Sequence, residues 1–208
     1  MDWQARLVRS SLTARIIMVT GICWGLVAAL GLERWAYGFG GFIPLRFDEG
    51  FTIPGAVPAI LTPLSATFLH ADAMHIIFNM LLLFICGRGV EAALGGRGLI
   101  ALYIIGAYAA ALGHYLFNAG SAGPMIGASG AVSAIIGAYA LLYSKPRNGV
   151  GGWRHVAALA GAWIVIQLLI GLSTYGSASP VAIMAHIFGF AAGLALARPL
   201  LLWRYRDA

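Results

Sequence analysis

Charge is what this sequence has least of. Asp, Glu, Lys and Arg together make up only 10% of its 208 residues, whereas 61% are hydrophobic. A soluble domain carries about 25% charged residues. The scarcity excludes an ordinary solvated surface and points to an integral membrane protein with one domain, residues 1–208. Cysteine is nearly missing as well. Cys23 and Cys86 lie in separate apolar segments without metal-ligand spacing, so neither a disulfide framework nor a zinc site is supported, and both thiols are expected to be buried and inert. The formal charge of +6 raises the question of nucleic acid, but the basic residues are scattered at segment ends and build no basic face, so no nucleic-acid partner is read from them. Glycine, at 28 residues, is abundant instead, as expected where helices pack closely in lipid.

The apolar segments fall into a regular order. The first run, Ile16 to Leu32, follows Arg6, Arg9 and Arg15 and is expected to be an uncleaved span ending near Trp35 to Tyr37. A Gly-, Pro- and aromatic-rich loop, Gly38 to Leu69, is amphipathic enough to lie in the membrane interface. Span two starts near Ala73 and finishes by Leu94, with the turn at Gly95-Gly96-Arg97-Gly98. No charged residue occurs from Gly98 to Ser144, long enough for two spans of about 20 residues each, broken by the Asn-, Ser-, Gly- and Pro-rich stretch Asn118 to Gly127. Ser144 to Gly149 closes span four. His155 to Ala197 repeats the design, with a break at Ser173 to Pro180 between spans five and six. Six spans put eleven of the basic residues on the side of both termini and leave only Arg34 and Arg46 on the other. By the positive-inside rule the termini are cytoplasmic. No Arg- and Ser-rich, acidic-poor leader is read, which favours a bacterial cytoplasmic membrane over an organelle.

Within the uncharged stretch, Gly127-Ala128-Ser129-Gly130 places a serine at the end of a polar loop and the start of an apolar helix pattern, as a nucleophile on a helix N-terminus would be. Counting 1.5 Å per residue from the nearest cytoplasmic basic residue puts Ser129 about 24 Å, His75 about 20 Å and His186 about 18 Å into a core about 30 Å thick. Polar side chains at such depth mark a functional site by default. His75 and Asn79 share one helix face, four residues apart. His186 shares its face with Gly189 and Gly193, and Ser129 with Ser133 and Gly137. These small faces allow spans four and six to approach until Ser129 and His186 can hydrogen-bond.

Three motifs in this order, His70-Ala71-Asp72-Ala73-Met74-His75-Ile76-Ile77-Phe78-Asn79, Gly127-Ala128-Ser129-Gly130 and Ala185-His186-Ile187-Phe188-Gly189 through Gly193, resemble the rhomboid intramembrane serine proteases across essentially the whole chain. Glu91 and Gly95 also look like the family pattern. The resemblance implies an all-α membrane protein, a six-transmembrane-helix bundle in which Ser129 is the nucleophile and His186 the general base of a dyad without a carboxylate. It implies that the Ser129 N–H, His75 and Asn79 meet the oxyanion and that Gly127 and Gly130 shape the site for substrate backbone. It further implies an acyl-enzyme, no cofactor, and transmembrane segments of other proteins as substrates within the lipid bilayer, in an oligomeric state the sequence leaves open. Two positions depart from the family. Ser133 stands where members often carry a tyrosine packed on the catalytic histidine, and the first loop lacks the Trp-Arg pair of some members.

Blander readings compete for the same residues. Ser129 alone could simply help small helices pack. His70 suits a hydrogen-bonding role at the outer interface, Asp72 an N-cap for span two, and His114 and His155 structural roles near segment ends. His70, Asp72 and His75 do not have the spacing that aligns metal ligands, and His-Glu-x-x-His is absent. Gly87 to Ala92 superficially matches a dinucleotide fingerprint but follows a membrane span and lacks a βαβ context. Two non-enzymatic alternatives remain: a catalytically silent rhomboid-like protein that binds or escorts membrane proteins, and a haem carrier using His75 and His186.

Overall fold

Ser11 opens the first long helix. Its hydroxyl accepts from the Ala14 N–H, and α1 runs Leu12–Ala29. The computed structural model describes residues 11–48, 51–144, 153–173 and 182–206. In it α1 begins ahead of the apolar run at Ile16, because the cap stabilises a first turn that composition alone reads as polar. The helix stops where Gly31 adopts φ +64°, a left-handed turn that ends many helices. Helix α2, Glu33–Gly40, follows immediately. The stretch expected as an interfacial loop contains two helical pieces, Pro44–Phe47 and Ala59–Phe68.

Asp72 caps the next helix, α3, Ala73–Leu82, by accepting from the His75 N–H at 2.8 Å. A π-helical turn, Leu83–Gly87, passes into α4, Arg88–Asn118, which is broken at Gly95 by φ 71°, ψ 169°. That break is a reversal. His70, just before α3, lies against Ala128 in the loop that follows α4, and Leu45 N–H donates to Ser121 O at 3.1 Å while Phe42 and Met125 form an antiparallel bridge. Chain leaving one end along α3 has therefore returned to it by the end of α4.

The opposite end is equally well defined. The Glu91 carboxylate accepts from Ser11 Oγ, Thr13 Oγ1 and the N–H groups of Leu12 and Thr13 at 2.6–3.0 Å, so it caps α1 with a negative charge at a helix N-terminus. Arg204 donates to Ala92 O at 2.6 Å, and Tyr143 to Gly89 O at 2.9 Å. The start of α1, the α4 reversal, the end of α5 (Ser129–Leu142) and the end of α7 (Ile183–Arg204) thus gather in one place. Helix α6, Trp153–Ser173, lies antiparallel to α7, since Gln167 meets His186 and Trp163 stacks on Phe190. The turns expected at Ser144 to Gly149 and Ser173 to Pro180 fall, beyond Ser144 and Ser173, outside the described residues.

Helices α4, α5 and α7 form the core, with Leu83, Leu94, Leu99, Leu102, Val132 and Ile135 fully buried. Close contact between α5 and α7 depends on glycine. A Cβ at Gly137 would collide with Phe190 O, one at Gly189 with Gly130 O, and one at Gly193 with Ala134 O. Large apolar side chains such as Met18, Ile22 and Leu26 of α1 and Val165, Leu168 and Leu169 of α6 are exposed, as for helices that face lipid. Leu12–Ala29, Ala73–Asn118 and Ile183–Arg204 are long and apolar enough to cross a membrane. The 14 residues of α5 cover only about 21 Å, less than the 20-residue span expected, because the preceding loop descends into the bundle and the helix starts there. Cys86 is buried, but Cys23 is only half-buried on α1, so the expectation of two buried thiols holds for one of them.

Candidate active site

Ser129 is the first residue of α5. The first N–H groups of a helix have no intrahelical acceptor, so the serine presents both its hydroxyl and a free-standing donor at the point where the loop becomes helix. Helix α7 brings His186 to it: His186 Nε2 lies 2.8 Å from Ser129 Oγ. The glycine contacts between α5 and α7 permit this approach, because a bulkier face would hold the two backbones apart.

Helix α3 supplies the third side of the site. Gly127 has φ +113°, and a Cβ there would fall 2.6 Å from His75 Nε2 and 3.7 Å from Ser129 Oγ. His75 Nε2, Gly127 and the Ser129 hydroxyl therefore converge on one small space. Asn79, 5% exposed, donates from Nδ2 to His75 O at 2.8 Å, which leaves its second N–H available. Gly130 packs its backbone against Ala110 and Gly189, so it serves helix contact directly.

His70 is buried by the protein itself, 2% exposed. Burial, with a smaller contribution from the neighbouring His75 ring, pushes its imidazole down to about 3. It is neutral at physiological pH, and its Nε2 accepts from the Ala128 N–H at 3.3 Å, fixing the loop one residue before Ser129. Gly127 N–H donates to Ala66 O at 2.9 Å, so two bonds hold the glycine turn in place. His114 Nδ1 lies 3.4 Å from Asn118 Nδ2; the side chain of His155 lies outside the described residues. Among the described residues no group of three His, Cys, Asp or Glu side chains could hold a metal ion.

One residue at the site escaped the sequence reading. Gln167 of α6 places Oε1 2.6 Å from His186 Nδ1. The signal was present: an isolated carboxamide within an uncharged, apolar stretch is a functional candidate by the same depth argument that picked out the histidines. Ser133, which replaces an aromatic residue expected beside the histidine, turns away and donates to Ser129 O at 2.7 Å.

Comparison with known proteins adds an independent line. Residues 59–203 match the family described as Rhomboid domain. The chain is 31% identical over 136 residues to the rhomboid protease GlpG of Yersinia pseudotuberculosis serotype I (strain IP32953), covering 64% of this chain and 45% of that protein. It is 34% identical over 134 residues to the rhomboid protease GlpG of Enterobacter sp. (strain 638), covering 62% and 44% respectively. It thus spans somewhat under half the length of these curated relatives.

Proposed function

The chain belongs to the rhomboid family, and on that premise we propose that it is an intramembrane serine endopeptidase that cuts transmembrane segments of other membrane proteins. The observation that carries this reading is the 2.8 Å approach of His186 Nε2 to Ser129 Oγ at the buried start of a membrane helix. His186 takes the hydroxyl proton as Ser129 attacks a peptide carbonyl, then returns it to the leaving amine, giving an acyl-enzyme that water hydrolyses. The Ser129 N–H, His75 Nε2 and the Asn79 carboxamide meet the developing oxyanion. Gly127 leaves the space beside them open for the substrate backbone, and Gly130 lets α5 come close enough to its neighbours to set the geometry.

A helical substrate hides its carbonyls in internal hydrogen bonds, so the scissile segment unwinds before attack. Six spans with both termini in the cytoplasm fit the gathering of the α1 start, the α4 reversal and the α5 and α7 ends at one pole of the bundle. The arginine-rich pole faces the cytoplasm of a bacterial inner membrane. Ser129 then opens toward the outer aqueous side through the loop that precedes it, which is how hydrolytic water arrives.

The test is covalent labelling of the detergent-solubilised protein by a fluorescent fluorophosphonate. Wild type should label, whereas Ser129→Ala and His186→Ala, folded as judged by gel filtration and thermal unfolding, should not. Folded wild type that resists the reagent and cleaves no transmembrane reporter would reject the protease in favour of a silent rhomboid-like binding protein.

A further inference from the structure

Gln167 is 3% exposed, while its neighbours Val165, Ile166, Leu168 and Leu169 on α6 are all exposed. Burying a carboxamide on an apolar helix is unfavourable unless it is hydrogen-bonded, and its Oε1 lies 2.6 Å from His186 Nδ1. We infer that Gln167 is the positioning residue of the dyad, orienting the His186 ring and fixing its tautomer. This rests on the dyad reading above. An amide oxygen can only accept, so Nδ1 donates to it. The neutral ring is then bare at Nε2, where it accepts from the Ser129 hydroxyl, the state a general base requires. As His186 takes the proton, the bond to Gln167 becomes charge-assisted and strengthens, so the contact favours the transition state over the ground state.

A neutral acceptor suits this location, because a buried carboxylate beside lipid would suffer a much larger desolvation penalty. The register of α6 is set one helical turn away by Trp163 and Phe190, stacked with centroids 5.6 Å apart and planes at 16°. Around the ring, α5 contributes Ser129 and α6 contributes Gln167, and α3 brings the titratable His75 to the same small space beside the Ser129 hydroxyl.

The test reads the tautomer as well as activity. Full-length protein carrying nitrogen-15 histidine is compared as wild type, Gln167→Met and Gln167→Glu, with His186 signals identified by their loss in His186→Ala. Wild type should carry its proton on Nδ1, and Gln167→Met should populate the Nε2-protonated form and label with fluorophosphonate about 10- to 100-fold more slowly. Gln167→Glu should keep the Nδ1 proton and move the acid limb of the labelling profile upward by about a unit or more, because a carboxylate favours the imidazolium. A merely structural glutamine predicts no such movement. Gln167→Met with the wild-type tautomer and labelling rate, or wild type protonated at Nε2, overturns the assignment. Should Gln167→Glu fail to fold, the isosteric methionine variant decides alone. Wild type that carries the Nδ1 proton yet never labels would remove the dyad reading while leaving the role of Gln167 in orienting His186 intact.

Discussion

At the scale of single residues, Asn79 separates binding from catalysis. Its Nδ2 already donates to His75 O, so one amide hydrogen holds α3, and in the proposed mechanism the other would serve the oxyanion. Asn79→Ala should leave a folded enzyme whose turnover falls about 100- to 1000-fold, the usual cost of one oxyanion donor; turnover of a transmembrane reporter at the wild-type rate would exclude Asn79 from that role. The residues of the site were legible to different degrees, and for physical reasons. Ser129 sits between glycines that its turn and packing require, and His75 and Asn79 share a helix face, so local spacing exposes them. His186 had to be joined to Ser129 across 57 positions, which small faces on two apolar segments made plausible. Gln167 has no spacing signature at all. Its partner lies 19 positions away on another helix, and only the pairing of α6 with α7 reveals which side of an apolar helix its amide occupies.

At the scale of elements, the α5–α7 contact is where packing becomes chemistry. Gly189 meets the Gly130 carbonyl, and even a methyl group there requires the helices to part. Overpacking of this kind typically costs about 1–3 kcal/mol, and the displacement opens the Ser129–His186 hydrogen bond. Gly189→Ala should therefore remain inserted and helical by circular dichroism while labelling falls at least about tenfold; labelling at the wild-type rate would show that the contact has slack. Helix existence was readable from apolar runs and their breaks, and the turn at Gly95 was found where its glycines stood. Helix ends were not. α1 starts early because Ser11 and Glu91 cap it from near and far, and α5 starts late because its loop enters the bundle; neither influence leaves a periodic mark in the local sequence.

At the scale of the whole molecule, Glu91 and Arg204 tie both ends of the described chain to the reversal within α4. Glu91→Ala would leave two hydroxyls and two backbone N–H groups at the start of α1 without their acceptor. Hydrogen bonds to a charged group are the stronger class, so stability should drop by about 3 kcal/mol in reversible unfolding, with faster amide exchange in the first turn of α1. An unchanged midpoint would mean that α1 seats itself by apolar contact alone. The charge asymmetry that suggests the arrangement of the spans carries no trace of this clamp, because Glu91 and Ser11 are 80 positions apart. The glycine seam between α5 and α7 has one more consequence. It makes the serine–histidine hydrogen bond a ruler for the separation of two membrane helices, so in the proposed mechanism a bilayer that thins or thickens and tilts those helices would write its mechanical state into the rate of a chemical step.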